Sequence, residues 1–204
     1  MENAEAIFSQ FTPMASLSYS LPGDWLDNTA VNSAMVYATW SNGFKSGFQE
    51  PKGSDDLVVV EPERLGNREI GKSGNREIGK SGNREIGFKI DAFQRSLRLN
   101  VAIYSMIFED MQLITAGLDS TGTLVVTSDN AGKSMIEGAE MELSWLPSRD
   151  WLITLSYSNN NYKFLDFDDV DLLTLGLAGE NKIVDRTDEQ FPVSPEETAA
   201  LGIQ

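Results

Sequence analysis

A tandem octapeptide is the feature of this sequence that could most directly carry chemistry. Residues 66–73 read Gly-Asn-Arg-Glu-Ile-Gly-Lys-Ser, residues 74–81 repeat them identically, and residues 82–87 begin a third copy. Each complete copy fits the pattern G-x-x-x-x-G-K-[ST] of the phosphate-binding P-loop, in which backbone amides and the lysine contact phosphate groups. A working P-loop also needs a buried strand before the loop and a helix after it, because the helix N-terminus stabilises the anion.

The sequence around the repeat does not supply that helix. The first complete copy leads into another Gly-Asn-Arg, and the second leads into a strand pattern at Ile86. Removing two copies would join Leu65 to a single copy, as expected after a gene-level duplication. We therefore interpret residues 66–87 as a polar extension of an external loop and the start of a strand, because these residues bury little apolar surface. Two alternatives stay open: the copies compete for one strand register, or they bind a nucleotide.

Two groups of carboxylates also suggest chemistry. Four aspartates lie within residues 166–171, and oxygen ligands at this density could bind Ca²⁺, but their spacing does not match an EF-hand loop. Glu140 and Glu142 could act as an acid–base pair, yet alternate polar positions on a strand are also what a water-filled lumen requires. We expect a solvated acidic loop in the first case and a polar strand face in the second. The four aspartates are Asp166, Asp168, Asp169 and Asp171.

Composition excludes several classes of function. The chain of 204 residues has no cysteine and no histidine, which removes disulfides, zinc sites built on those residues and histidine-based catalysis. Its 31 acidic and 16 basic residues give a formal charge of -15, so we expect no nucleic-acid partner. The sequence therefore predicts neither an enzyme nor a resident cofactor, and it offers no catalytic, cofactor-binding or metal-ligating residue.

Alternation of apolar and polar residues is the dominant pattern. Between Glu85 and Ser158 it predicts two antiparallel hairpins that turn at residues 93–96 and 146–150. Further strands are predicted at residues 11–21, 32–40 and 198–204, and no segment has a sustained helical period. One face of the hairpins is apolar throughout: Ile86, Phe88, Ile90, Ala92, Leu97, Leu99, Val101, Ile103, Ala139, Met141, Leu143, Trp145, Trp151, Ile153, Leu155 and Tyr157.

The connections between these strands are of two kinds. Three are predicted to be short (22–30, 93–96 and 146–150) and three long (45–81, 109–130 and 159–194), and each kind falls at its own end of the sheet. Outer-membrane barrels show this asymmetry, together with aromatic girdles at both membrane interfaces. Aromatic side chains occupy both ends: Trp25, Trp145 and Trp151 at the short turns, and Tyr104, Phe108, Tyr157 and Phe164 towards the long loops.

These patterns favour a transmembrane β-barrel, with a soluble β-sandwich binding module as the alternative. No run approaches the ~20 apolar residues of a membrane helix, but barrel strands need only about 9–11 alternating residues. A sandwich alternates equally well and would bury the apolar face against a second sheet. The N-terminus is acidic and lacks the pattern of a signal peptide, so an exported protein would need a longer precursor than this chain.

Several segments resemble the barrel strands of TonB-dependent outer-membrane receptors, in the order that family has them. The resemblance covers nearly the whole chain, residues 1–204, so we expect one partial barrel domain of about seven strands. The segments are Thr12-Pro13-Met14-Ala15-Ser16-Leu17-Ser18-Tyr19, Val36-Tyr37-Ala38-Thr39-Trp40-Ser41-Asn42-Gly43-Phe44-Lys45-Ser46-Gly47, Glu61-Pro62-Glu63, Glu85-Ile86-Gly87-Phe88-Lys89-Ile90-Asp91, Asn130-Ala131-Gly132-Lys133, Gly138-Ala139-Glu140-Met141-Glu142 and Ser194-Pro195-Glu196.

The resemblance implies an all-β, antiparallel, up-and-down curved sheet in a Gram-negative outer membrane. The family forms barrels of about 22 strands with a plugged lumen and imports scarce nutrients such as siderophores, cobalamin or saccharides. Its partners would be outer-membrane lipid, the remaining barrel and plug, the energy-coupling TonB protein and the nutrient. Because the plug, coupling region and other strands are missing, we expect a fragment that does not transport alone. Four inward residues would contact the plug: Lys89, Asp91, Arg98 and Asn100.

Overall fold

The fold was analysed in a computed structural model, which describes residues 9–52, 56–65, 82–118, 122–170 and 183–204. Strands account for nearly all of its regular structure, and the one helix among the described residues is a single turn. In chain order the elements are β1 (Met14–Ser20), α1 (Gly23–Leu26), β2 (Val31–Ser41), β3 (Gly43–Lys45), β4 (Phe48–Lys52), β5 (Asp56–Val60), β6 (Glu63–Leu65), β7 (Asn83–Ala92), β8 (Leu97–Leu118), β9 (Leu124–Ser148), β10 (Trp151–Asp166), β11 (Asp168–Val170), β12 (Ile183–Asp185) and β13 (Glu197–Ile203).

The long strands form one antiparallel sheet in the order β1-β2-β7-β8-β9-β10-β13. Neighbours in the sheet follow each other along the chain, apart from short elements in the long connections, so the topology is up-and-down. β3 and β6 pair with each other above β2 and β7, and two small hairpins, β4–β5 and β11–β12, lie in the long connections. The predicted all-β, up-and-down sheet is therefore confirmed.

The two faces of this sheet differ as the alternation predicts. Cross-strand partners keep apolar residues in common rows, for example Phe88 with Val101 and Val101 with Met141. These rows are not covered by protein: Ile86 is 60% exposed and Ile103 57% exposed. A sandwich would bury this face against a second sheet, and within the described part of the chain no second sheet packs on it.

Most of the buried apolar side chains lie away from these rows. Among the described residues the buried hydrophobic side chains are Val60, Ala92, Ala102, Phe164 and Phe167. Phe164 and Phe167 pack together with ring centroids 4.6 Å apart. Three partly buried side chains complete this cluster at the long-loop end: Met111, Leu113 and Phe191. The chain thus has a small core under its long connections and a bare apolar face along its strands.

The prediction of a long loop at residues 109–130 is wrong for most of that range. β8 continues to Leu118 and β9 begins at Leu124, and the two strands stay paired along this extension. Strict alternation is lost there because apolar residues occur on both faces: Met111 and Leu113 pack against the phenylalanine cluster, whereas the adjacent Ile114 is exposed. The period of two therefore carries no clear signal. No helix in the described part of the chain is long and apolar enough to cross a membrane.

Two tyrosines on the polar face lie over glycines of the neighbouring strand. Tyr37 is the cross-strand partner of Gly87, and Tyr104 is the partner of Gly138. A Cβ atom added at Gly138 would lie 2.9 Å from Cζ of Tyr104 and 2.9 Å from the backbone oxygen of Asn159. Each glycine therefore provides the space in which the neighbouring ring lies against the sheet.

Gly138→Ala is expected to destabilise the sheet, because its Cβ would meet backbone as well as the tyrosine ring. Overpacking of this kind costs about 1–3 kcal/mol. Urea unfolding of the protein in detergent measures the change. Gly23→Ala is the matched control, since a Cβ there meets nothing within 4 Å. Equal midpoints for the two variants would contradict the close packing at Gly138.

Candidate functional site

The polar face of the sheet carries several separate hydrogen-bonded groups of polar side chains. Near the short-turn end, Asp91 accepts hydrogen bonds from Arg98 Nε at 2.9 Å and from Ser33 Oγ at 3.2 Å. Further along the same face, the Tyr37 hydroxyl donates to Glu85 at 2.7 Å. Ion pairs and hydrogen bonds of this kind are suited to a wet lumen and unsuited to lipid.

The glutamates considered as an acid–base pair belong to this face. Glu142 accepts a hydrogen bond from Asn100 Nδ2 at 3.2 Å, and Glu140 and Glu142 lie opposite Ser158 and Ser156 of β10. An open groove of about 540 Å³ runs over this region and is lined by Arg98, Asn100 and Glu142 among others. The arrangement resembles a solvated wall, because the two carboxylates are spread along the strand and Glu142 accepts its hydrogen bond from an amide.

A second polar cluster fixes the long connection against the extension of β8. Asp110 has a positive φ of 54°, and its carboxylate pairs with Arg64 Nη1 at 2.7 Å. The Asn130 side chain accepts from the Glu61 backbone amide at 3.0 Å, donates to the Glu61 carbonyl at 3.0 Å, and donates to the Asp110 carbonyl at 2.7 Å. The Asn130 side chain thus bonds to the backbone of two distant segments, as the backbone of a neighbouring strand would.

Gln112 strengthens the same cluster, which we call the loop junction (Glu61, Glu63, Arg64, Asp110, Gln112 and Asn130). Its side-chain amide donates to the carbonyls of Ser46 and Glu61, each at 3.0 Å. Its backbone amide donates to the Glu63 carboxylate at 3.1 Å. The segment that precedes the octapeptide repeat is therefore held from both sides before the repeat begins.

The register on either side of the repeat shows how much chain is inserted. On the β8 side, Leu65 pairs with Phe108 and Arg84 pairs with Ser105, so nineteen positions of sequence separate two residues whose partners are only three positions apart. On the other side, Leu65 pairs with Gly43 and Asn83 pairs with Ser41, so eighteen positions separate two residues whose partners are two positions apart. Both comparisons give an excess of sixteen residues, the length of two octapeptides.

The structure provides no P-loop context for the described copy of the repeat. Residues 66–81, which contain both complete copies, lie outside the described residues. β7 begins at Asn83, two positions after the second copy ends at residue 81, so a strand stands where the phosphate site would need a helix. The nucleotide-binding alternative therefore lacks the element that would stabilise the phosphate.

The acidic segment is partly described. Asp169 lies 4.0 Å from Arg186 Nε, while Asp171 falls outside the described residues. Hydrogen bonds from the hydroxyl and the backbone amide of Thr187 hold the pKa of the nearby Asp185 below its usual value. Among the residues that the structure describes, no group of three or more acidic side chains is placed to hold a metal ion.

Comparison with known proteins gives the family. The family model described as "TonB dependent receptor-like, beta-barrel" matches residues 2–204, nearly the entire chain. This chain belongs to the TonB-dependent receptor β-barrel family. No curated protein matches it. The membership agrees with the alternating strands, the polar inner face and the long connections at one end of the sheet.

Solved structures similar to this barrel segment are far larger proteins. The ferric yersiniabactin uptake receptor FyuA from Yersinia pestis has TM-score 0.58 and 18% identity, over 93% of this chain and 22% of that one. The RagAB peptide transporter has TM-score 0.57 and 10% identity, over 94% of this chain and 27% of that one. The alcaligin outer-membrane receptor FauA from Bordetella pertussis has TM-score 0.49 and 16% identity, over 97% and 26%. The chain thus spans about a quarter of their length.

Two segments that carry the resemblance to TonB-dependent receptors meet at the loop junction. Glu61 and Glu63 belong to one segment and Asn130 belongs to another. The hydrogen-bonded residues Glu61 and Asn130 are 69 positions apart in the sequence. Sequence reasoning did not identify Arg64, Asp110 or Gln112 as parts of this site. No local pattern marks them, because each acts on a partner that is distant in sequence.

Asn130→Ala should loosen the loop junction without changing the long strands of the sheet. The variant loses three hydrogen bonds to the backbone of Glu61 and Asp110, each contributing about 1 kcal/mol. We expect hydrogen exchange of the Glu61 amide to accelerate at least about tenfold. Asn161→Ala, an exposed asparagine on β10, is the control. Unchanged exchange at Glu61 would show that Asn130 does not hold the segment.

Proposed function

We propose that the chain is part of the barrel wall of a Gram-negative outer-membrane receptor that imports a scarce nutrient. The observation that carries this proposal is the pair of unlike faces: an apolar face that no other described part of the chain covers, and a polar face with several hydrogen-bonded side-chain pairs. Lipid on the first face and a wet, plugged lumen behind the second would satisfy both.

The dimensions of the apolar face support a membrane. On β8 it runs from Leu97 to Ile103, and the next outward row is polar, with Arg84, Ser105 and Glu137 in line. Eight residue steps from Leu97 to Ser105 span roughly 27 Å at about 3.4 Å per step. A strand tilt of about 40° reduces this to roughly 20 Å, close to the apolar band of about 25 Å in outer-membrane barrels.

Aromatic residues border the apolar band at the short-turn end. Trp25, Phe93 and Trp151 lie beside the short turns, and each is more than half exposed. Bulky amphipathic rings are favoured at the boundary between hydrocarbon and headgroups. Their position supports an orientation in which the short turns face the periplasm and the long connections face outside.

The odd number of strands in the described sheet path supports a barrel wall that needs further strands. The described sheet path has seven strands, so both edge strands, β1 and β13, run in the same direction. They therefore cannot close antiparallel on each other, and antiparallel closure is what outer-membrane barrels use. Unpaired edges in hydrocarbon cost several kcal/mol per backbone group. We propose that the remaining barrel, with a plug and coupling to TonB, completes the receptor, and that this chain does not transport alone.

The nutrient class is the least constrained part of the proposal. The similar structures are described as a ferric yersiniabactin uptake receptor and a peptide transporter, so one barrel architecture serves different cargoes. Siderophores, cobalamin and saccharides remain our candidate classes, with peptides added by the second structure. The polar face of this chain supplies the ion pair Asp91–Arg98, which is suited to contact a plug.

Val101→Arg tests the lipid-facing assignment directly. Val101 lies in the middle of the apolar band, where an arginine costs about 2–4 kcal/mol in a membrane barrel. The adjacent Asn100→Arg points to the polar face, beside Glu142, and should be tolerated. Urea unfolding in lipid vesicles measures both. A soluble sandwich alternative predicts that the chain is monodisperse without detergent, and that result would contradict the proposal.

Transport itself is tested in the organism that encodes the chain. Deleting the reading frame and its flanking barrel sequence should reduce uptake of one labelled cargo among ferric siderophores, cobalamin, saccharides and peptides. That uptake should also stop when the proton-motive force is collapsed, because the proposed receptor is energised through TonB. Undiminished uptake of every cargo in the deletion strain would refute an import role.

A further inference from the structure

One face of the β8–β9 extension carries large apolar side chains that stay mostly exposed. Ile114 is 81% exposed, Leu124 60% and Val126 65%, and we call these three residues the outer patch. The cross-strand register places positions 114, 116 and 118 of β8 on the same face as positions 128, 126 and 124 of β9, and none of these six residues is charged. Contiguous apolar side chains at a surface mark interaction sites, whereas isolated ones do not.

The outer patch points away from the polar side of the sheet. The opposite face of the extension packs on the phenylalanine cluster through Met111 and Leu113. That cluster lies on the polar side, because Phe164 and its cross-strand partner Ser134 lie four positions beyond the polar-face residues at 160 and 138. The Ser134 hydroxyl also contacts Sδ of Met111 at 3.2 Å. The outer patch therefore faces the same side as the apolar rows of the sheet below it.

Asp110 is the residue at which the side chains of β8 change faces. Phe108, the partner of Ser134, and Met111 lie on one side although they are three positions apart, and regular alternation would separate them. Asp110 lies between them with a positive φ of 54°. Arg64 holds its carboxylate at 2.7 Å, and the Asn130 side chain donates to its carbonyl at 2.7 Å. The loop junction therefore fixes which face of the extension is turned outward.

The outer patch lies too high for lipid tails to cover it in the proposed barrel. Ile114 follows Ser105, where the apolar band ends, by nine positions. Nine steps of about 3.4 Å at a tilt of about 40° place Ile114 roughly 23 Å above that boundary, and the headgroup region is only about 5–8 Å thick on each side. The proposed plug lies behind the polar face, and further strands would join at the edges β1 and β13. Neither of them lies over this face.

We propose that the outer patch is the surface through which two copies of the receptor pair side by side in the outer membrane. This inference rests on the proposed function, because the membrane gives both copies the same orientation and the same depth. The patch of one copy then meets the identical patch of the other about a two-fold axis along the membrane normal. Each copy of this chain has a formal charge of -15, so an uncharged patch is where two copies approach with the least repulsion.

The size of the outer patch sets the strength of the pairing. Its three side chains offer roughly 300 Å² of apolar surface per copy, whereas a stable complex in solution buries about 800 Å² per partner. The contact is therefore weak and reversible. Confinement to one membrane raises the local concentration of the second copy, which favours weak contacts. We expect dimers in the membrane and their dissociation on dilution in detergent.

Single cysteines test the pairing, since the chain has no cysteine of its own. The receptor that contains Val126→Cys is produced at its native level in the outer membrane and treated with a short bifunctional maleimide. Val126 lies in the middle of the patch, so its cysteine should lie near the two-fold axis and link two copies. Val193→Cys is the matched control, because this valine is 101% exposed and lies outside the extension. We expect on the order of tenfold more linked dimer from Val126→Cys than from Val193→Cys.

A second cysteine separates the role of the patch from the chemistry of one position. Ile114→Cys should also give linked dimer. Adding Val126→Glu should reduce that yield to the level of Val193→Cys, because like charges would then face each other across the axis. Val126→Thr keeps the shape of the side chain without a charge and should retain most of the yield.

The alternatives give different results. Equal dimer yields from Val126→Cys and Val193→Cys would overturn the proposal. A linked product with a mass other than twice that of the receptor would overturn it as well, because another protein would then occupy the patch. A receptor that is present in the outer-membrane fraction and forms no dimer refutes this inference alone, whereas its absence from that fraction refutes the proposed function too.

Discussion

The structure depends on a difference in environment between the two faces of one sheet. Among the described residues, apolar side chains such as Ile86 and Ile103 are more than half exposed, whereas the opposite face carries bonded polar pairs such as Asp91–Arg98. Water on the apolar side would leave the sheet with almost no buried core, since few described side chains are buried. In the proposed receptor, hydrocarbon supplies the missing burial, and the strand alternation, the up-and-down order and the aromatic border are all consistent with that arrangement.

The same constraint explains why a sixteen-residue insertion is compatible with the sheet. A shift by an odd number of residues would turn every side chain of β7 to the wrong solvent, and an even shift does not. The flanking registers on β2 and β8 agree on an excess of two repeat units. The loop junction then fixes the segment before the insertion, with Asn130 and Gln112 bound to the backbone of Glu61. Pairing is therefore kept on both sides of the inserted chain.

The strands that cross the apolar band were predictable from sequence, because the period of two is present wherever the faces differ. Ala92 lies opposite Leu97 as the hairpin pattern predicts. The extension of β8 and β9 beyond Glu109 was not predictable, because apolar residues lie on both of its faces: Met111 and Leu113 pack against the phenylalanine cluster, and Ile114 is exposed. The loop junction also escaped prediction: the positive φ of Asp110 and its pairing with Arg64 join segments 46 positions apart, and no local spacing records such contacts. The assignment of residues 66–87 to an external loop and strand start stays a prediction.

Spin labels placed singly from Arg98 to Ile103 on β8 would test the two-faced wall most directly. In lipid bilayers, labels at Leu99, Val101 and Ile103 should be accessible to oxygen dissolved in the hydrocarbon and protected from a water-soluble nickel chelate. Labels at Arg98 and Asn100 should show the reverse preference. Accessibility that alternates in this way would establish lipid on one face and water on the other. If the odd-numbered positions were protected from both reagents, a protein-covered face would be present and the barrel-wall account would be wrong.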